Sequence, residues 1–512
     1  MCFGVKNFLG KKKNIIFAAE IISPTKPMKT KSFLSLLALS LPILLPAQTK
    51  GVVGVQRAVQ QIKQDTLFQD AVVGILVTDP KGHEVASWNP DMPLLTASTM
   101  KTITTGTALV ALGPDYRFTT RIAYSGEVSR GTLYGNLYVI GGGDPTLCSL
   151  DSIAAPIDSV FGHWVEALIK IGIERINGSI VADDRFFTHE VIPGSWTWGN
   201  LNSTSGIGPS GLSFYDNRLR VTLLPGLREG DKVGIRNEYP FFPEMQFDNR
   251  LTTGTSQSRT RTSIRNSDIT PLIQLTGSLP AGTDSVVVAG SNKFPPLSCV
   301  YQFDRYLNLN GISTTRAIRM IDPKHDPETG SLTQVASWDS PSLIDIIGVT
   351  NRVSQNFFAE TILKTLGKER TGVGAYDSAY VAVQRVLKEL GVPLRGFAMS
   401  DGSGLSRQNY VSARFFCNFY AKMKASAYFP QFFESFPIPG GEGTLKTVIV
   451  NAPHKERLHA KSGTLSNVRC YAGYVDTPSG IYTFAIMVNN YGSTQAQIQV
   501  GVERFLRALT EL

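Results

Sequence analysis

Three short segments of this 512-residue chain carry side chains that could together perform acyl transfer: Ser98-Thr99-Met100-Lys101, Ser354-Gln355-Asn356 and Lys461-Ser462-Gly463-Thr464. A serine hydroxyl becomes a useful nucleophile only when a base takes its proton. On a helix, positions i and i+3 lie about 5–6 Å apart at Cβ, so Lys101 shares a face with Ser98 and can reach its hydroxyl. Lysine acts as that base only when neutral. Its pKa must then fall from about 10.4 toward 7–8, at about 4 kcal/mol, through burial and a neighbouring cation. Lys461 is the candidate for that cation.

The elements that must hold these groups decide whether the spacing means anything. Ser23-Pro24-Thr25-Lys26 and Ser87-Trp88-Asn89 match the first two patterns formally. The former has a proline inside its would-be helix, and the latter precedes Ser98 and reads as part of a hairpin. Around Ser98 the setting differs. Leu94-Leu95-Thr96-Ala97 leads in, Ile103, Ala108, Leu109, Ala111 and Leu112 follow at helical spacing, and Gly113-Pro114 stops the run. That pattern predicts a buried helix with Ser98 near its positive end. Each segment alone reads as a solvated helix face, a cap or a turn; their order and joint occurrence point to a site.

The trio resembles the signature of penicillin-binding proteins and class A β-lactamases. Further segments narrow the resemblance: Asp401-Gly402-Ser403-Gly404-Leu405-Ser406-Arg407, Gly443-Thr444-Leu445-Lys446, Gly142-Gly143-Asp144-Pro145-Thr146-Leu147, and Trp196-Thr197-Trp198 followed by Leu201-Asn202. From roughly Ile75 to Tyr491 the chain resembles the D-alanyl-D-alanine carboxypeptidase/endopeptidase family of low-molecular-mass class C penicillin-binding proteins. Two departures stand out: Ser462 replaces the usual threonine, and Gln355 stands where aspartate is common.

The resemblance implies a serine peptidase that releases the terminal D-Ala of peptidoglycan stem peptides through an acyl-enzyme on Ser98, with endopeptidase action on cross-links as an extension. It implies Lys101 as base, Ser354 as proton relay and Lys461 as the second cation. Asn356 is expected to hydrogen-bond the substrate amide, and the Ser462 and Thr464 hydroxyls to hold the terminal carboxylate. The amides of Ser98 and Thr464 would form the oxyanion hole, each contributing about 3 kcal/mol. Gly463 would keep the strand face open for an extended peptide. Peptidoglycan peptides are the implied partners, β-lactams the implied covalent inhibitors, and no cofactor is needed.

Composition excludes other classes. The formal charge of +9 suggests nucleic acid, but residues 1–47 hold seven lysines and one acid, leaving only +3 elsewhere. No basic arm with interleaved aromatics remains. The six histidines (His83, His163, His189, His325, His454, His459) form no His-Glu-x-x-His or close pair, which disfavours a metal hydrolase. The apolar run 33–45 is thirteen residues long, too short to span a bilayer, and it is flanked by Lys29, Lys31 and Pro46-Ala47. It reads as a signal peptide complete from Met28, so translation is expected to start there. The expected location is periplasmic or secreted, with at most peripheral membrane association. Cys148, Cys299, Cys417 and Cys470 follow that leader without paired spacing and are expected as buried thiols.

Ser354 follows Ser98 by 256 positions, more than a transferase fold requires between its first two motifs. The expected organisation is an N-terminal extension with signal peptide (1–47), a catalytic first part (48–120), an inserted β-rich part (121–331) and a catalytic second part (332–512). In the insertion, 132–140, 179–182, 219–224 and 285–289 read as strands and 300–309 as a helix. The polar stretch 248–268 reads as a loop or part of a small surface subdomain. In the catalytic parts, 72–77, 84–88, 458–461, 470–475 and 482–489 read as strands, with helices at 343–350 and 495–509. The fold class is therefore α+β, a penicillin-binding/β-lactamase-like antiparallel sheet covered by helices. Two alternatives are a β-lactamase or esterase on the same fold, which needs no such insertion, and a non-catalytic peptidoglycan-binding scaffold.

Overall fold

The structure, a computed structural model, describes Lys50–Leu512 apart from Asn202. The expected signal peptide, the start at Met28 and the Ser23–Lys26 segment lie outside the described residues. Among the described residues no helix is long and apolar enough to cross a membrane.

Five antiparallel strands form the central sheet in the order Glu84–Trp88, Val72–Thr78, Gly480–Asn489, Val468–Thr477, Leu458–Leu465. Successive side chains of a strand point to opposite faces, and the two faces bury different cores. Val73, Ile75, Val77, Phe484, Ile486 and Val488 pack with Val55, Ile62, Phe505 and Leu509 of the helices Lys50–Gln64 and Gln495–Thr510. Leu76, Ala485, Met487, Cys470 and Ala472 point the other way, into a core with Met100, Ile103, Phe358 and Phe419. That second core belongs to the helices Met100–Leu112, Asn356–Thr371, Tyr376–Glu389 and Ala413–Lys424. It is the face on which the three motifs converge.

The inserted part enters and leaves through one hydrogen-bonded junction. Phe118 N donates to Ser340 Oγ at 3.0 Å, and Ser340 N donates to Phe118 O at 2.9 Å. Just inside it, Thr119–Tyr124 pairs antiparallel with Thr333–Asp339, Thr119 opposite Asp339. The ends of the insertion thus lie a few residues outside the expected 121–331. The pattern of 333–339 suits either sheet, and only the long-range pairing assigns it. The two strands join Leu137–Ile140, Ile180–Asp183 and Ile318–Met320 in a five-stranded sheet.

A smaller unit follows, with two three-stranded sheets around Leu219, Val221, Leu251, Ile264 and Leu275. Of the two readings of 248–268, the subdomain is the one realised. Gln246–Gly254 and Arg261–Arg265 flank Leu272–Pro280, parallel and antiparallel respectively. Few large apolar residues are needed there, because only one face of each strand is buried. The single strand expected over 132–140 is two, Thr132–Tyr134 and Leu137–Ile140, in different sheets. The helix expected at 300–309 starts earlier, at Pro295, a residue favoured in a first turn. Cys148, Cys299, Cys417 and Cys470 are buried free thiols.

Ile486 is fully buried in the sheet beneath the terminal helices. Ile486→Ala should lower stability by about 2–5 kcal/mol, seen as a lower urea midpoint at unchanged slope.

Candidate active site

The position of Ser98 is set by a tight turn. Ala97–Thr99 is a 3-10 turn that runs into the helix Met100–Leu112, so Ser98 lies just ahead of the α-helix rather than within it. Thr99 Oγ1 donates to Thr96 O at 2.7 Å, and Ala97 takes a left-handed φ of 45°. Two glycines allow other segments to close on this turn. A Cβ on Gly404, itself at φ +82°, would lie 1.8 Å from Ala97 O. A Cβ on Gly463 would lie 2.6 Å from Thr96 O and 3.0 Å from Ser98 N. Gly463 therefore lets the strand Leu458–Leu465 reach the nucleophile's turn, a different reason from the open peptide lane expected of it.

Lys101 Nζ is fully buried, 3.0 Å from Ser98 Oγ, 2.6 Å from Asn356 Oδ1 and 2.8 Å from Ser403 O. A carbonyl and an amide oxygen only accept hydrogen bonds, so both require donors from Nζ. Of the three partners, Ser98 alone can donate to the lone pair of a neutral amine. Burial brings the Lys101 pKa down to about 7, against the Glu360 and Asp401 carboxylates, which favour its charged form. The expected influence of Lys461 is thus displaced. Lys461 itself is pushed well below the lysine range by burial, then by Lys101 and Arg469. Both lysines are thus held below the ordinary range, each chiefly by burial.

Ser354 sits at φ +65° in the bend between the helices Leu343–Arg352 and Asn356–Thr371, and Asn356 opens the second helix. Ser98, Ser354, Asn356, Ser462 and Thr464 line one cavity of about 340 Å³, while Lys101 and Lys461 are buried beside it. Lys461 Nζ donates to Ser462 O at 3.0 Å, and the Thr464 hydroxyl accepts from the Arg469 guanidinium. All eight residues singled out from the sequence thus meet in one region. Among the described residues, no group of three His, Cys, Asp or Glu side chains is placed to hold a metal ion.

Residues 55–509 match the D-Ala-D-Ala carboxypeptidase 3 (S13) family. The chain belongs to that family. A D-alanyl-D-alanine carboxypeptidase of Actinomadura sp. (strain R39) is 28% identical to this S13 carboxypeptidase, across 94% of the present chain and 88% of its own. The fold is that of penicillin binding protein 4 from Haemophilus influenzae, with a TM-score of 0.74 at 22% identity over 89% of this chain and 98% of that one. The same Haemophilus protein is also known in complex with a β-lactam, at a TM-score of 0.71, 21% identity and coverage of 88% and 98%.

The S13 carboxypeptidase has functional neighbours that sequence reasoning missed. Ser205, from the insertion, lines the catalytic cavity, and its carbonyl accepts from Asn356 Nδ2 at 2.9 Å. Glu360 is fully buried one helical turn beyond Asn356 and accepts from Gly402 N at 3.0 Å and Ser403 N at 2.8 Å. Burial, then the nearby Asp401, raises its pKa. Asp401 accepts from Gly404 N at 2.7 Å and Asn409 Nδ2 at 2.7 Å. It also accepts from Trp196 Nε1 of the insertion at 2.8 Å. Glu360 lies four residues after Asn356, a spacing that places it on the same helix face. Ser205 has no such sequence signal.

Gly463→Ala should push the strand away from Ser98. The expected result is a fall of about 100-fold or more in the rate of acylation by a fluorescent penicillin, with the circular dichroism spectrum retained.

Proposed function

We propose that this S13 carboxypeptidase attacks the D-Ala-D-Ala bond of a stem peptide with Ser98, using neutral Lys101 as base. The reading rests on one observation: among the described residues, Ser98 is the one partner of Lys101 Nζ that can donate a proton to it. In the acylation step the Ser98 proton passes to Nζ while Oγ bonds to the carbonyl carbon of the penultimate D-Ala. The oxyanion is held by the amides of Ser98 and Thr464. Collapse breaks the C–N bond, and Ser354 passes a proton from the lysines to the leaving amine, freeing the terminal D-Ala. Water then releases the shortened peptide from Ser98.

Substrate recognition on this reading comes from the same cavity. Asn356 offers its amide to the peptide, and the Ser462 and Thr464 hydroxyls, with Arg469 alongside, take the terminal carboxylate. A β-lactam presents a carboxylate and a strained amide to these groups and acylates Ser98. The apolar run 33–45 supports export to the periplasm, where peptidoglycan peptides are found.

Ser98→Ala should abolish labelling by fluorescent penicillin and lower D-Ala release from a pentapeptide by at least about 10⁴-fold. Persistent labelling of the alanine variant would disprove the assignment, and rapid β-lactam turnover by the natural chain would make it a lactamase. Mass spectrometry of products from defined monomeric and cross-linked muropeptides decides between carboxypeptidase and endopeptidase cleavage.

The pH profile offers a second check. Burial lowers the Lys101 pKa to about 7, so the reactive neutral amine prevails above that pH and is lost below it. The acylation rate should therefore level off above pH 7 and drop about tenfold per pH unit well below it.

A further inference from the structure

A second cavity, of about 420 Å³, lies on the insertion and plays no part in the acyl chemistry. It opens between the strands Arg261–Arg265 and Val286–Ser291, each the outer strand of a three-stranded sheet. Its lining carries the hydroxyls of Ser203, Thr204, Thr262 and Ser263, the exposed Arg265 and the indole of Trp198, which is 65% exposed. An indole offers a flat apolar face to the C–H surface of a pyranose. Hydroxyls exchange hydrogen bonds with sugar hydroxyls, and a guanidinium donates to an acetamido oxygen. The lining suits an N-acetylated amino sugar better than a peptide side chain or a metal ion.

Its position adds a second line of support. Ser203 and Thr204 line this groove, and Ser205, next in the chain, lines the catalytic cavity. Two residues of chain span at most about 7 Å, so the two cavities share a wall one turn thick. That wall, the 3-10 turn Thr204–Gly206, is fixed on both sides. Asn356 Nδ2 donates to Ser205 O at 2.9 Å, and the buried Lys293 Nζ lies 3.5 Å from Gly206 O. An extended four-residue stem reaches about 13 Å from the scissile bond to the sugar that carries it. That reach exceeds the thickness of the wall, so a stem bound in the cleft is long enough to place its sugar in the groove.

We propose that this groove binds the amino-sugar end of the peptidoglycan fragment whose stem peptide occupies the cleft. The proposal rests on the peptidase reading for the second half of that statement. The test compares kcat/KM for a free pentapeptide stem with that for the same stem carrying its N-acetylated disaccharide, in the natural chain, Arg265→Ala and Trp198→Ala. The sugar should raise kcat/KM about tenfold, chiefly through KM. Both variants should lose that advantage, while their rates on the free peptide and their penicillin acylation stay within about twofold of the natural chain. Equal rates on the two substrates in the natural chain, or an equal loss on both in the variants, would overturn the groove assignment. If neither substrate yields D-Ala while penicillin still labels Ser98, the peptidase reading fails instead. Calorimetry with the Ser98→Ala protein then decides the groove alone. Tighter binding of the sugar-bearing stem by about tenfold supports it, and equal binding refutes it.

Discussion

The structure depends on keeping the buried Lys101 amine satisfied without fixing a proton on it. A fully buried ammonium is costly in a medium of low polarizability, and a buried amine without partners is costly as well. Nζ meets both demands with three neighbours drawn from distant parts of the chain: the turn that carries Ser98, the first residue of the helix Asn356–Thr371 and the loop at Ser403. With its proton it donates three times. Without it, the amine still donates to Asn356 and Ser403 and accepts from Ser98, so no group is stranded in either state. The packing therefore accommodates Nζ with or without its proton.

Each neighbour needs its own support, and this explains the buried polar groups around the site. The Ser403 carbonyl is aimed at Nζ by a loop whose amides at Gly402 and Ser403 are held by Glu360. The same loop is tied through Gly404, Ser406 and Asn409 to Asp401. Interaction with Glu360 and Asp401 also opposes burial and limits how far the Lys101 pKa falls. A base with a pKa far below 7 would be neutral but too weak to take the serine proton. The opposing effects leave Lys101 near the range where both requirements are met.

The three motifs were legible because their information is local. Ser98 and Lys101 are three residues apart, and Lys461 to Thr464 occupy one strand, so spacing places their side chains once the flanking residues name the element. The central strands and the terminal helix were legible for the same reason, through clean periodicity. What could not be read depends on pairing across hundreds of residues. Thr333–Asp339 has no feature that assigns it to the inserted sheet before Thr119–Tyr124 is opposite it. Ser205 acts through a backbone carbonyl, which every residue type provides. The role expected of Lys461 as the group that depresses Lys101 also needed the fold, because the balance depends on which lysine faces Glu360 and Asp401.

The 256-residue interval first suggested a module placed between two motifs, yet its contacts make it part of the site. Trp196 donates to Asp401, and Ser205 accepts from Asn356. The side-chain amide of Asn356 has an oxygen and two N–H groups. The oxygen takes Lys101, one N–H is held by the inserted turn, and the second belongs to a residue that lines the cavity. An amide fixed at both ends cannot rotate to exchange its oxygen and nitrogen, so its remaining donor has a defined direction. A carboxylate in its place would have nothing to donate to Ser205 or to the substrate, and it would hold the Lys101 proton in place. The second motif therefore requires asparagine for reasons that involve the insertion as much as Lys101.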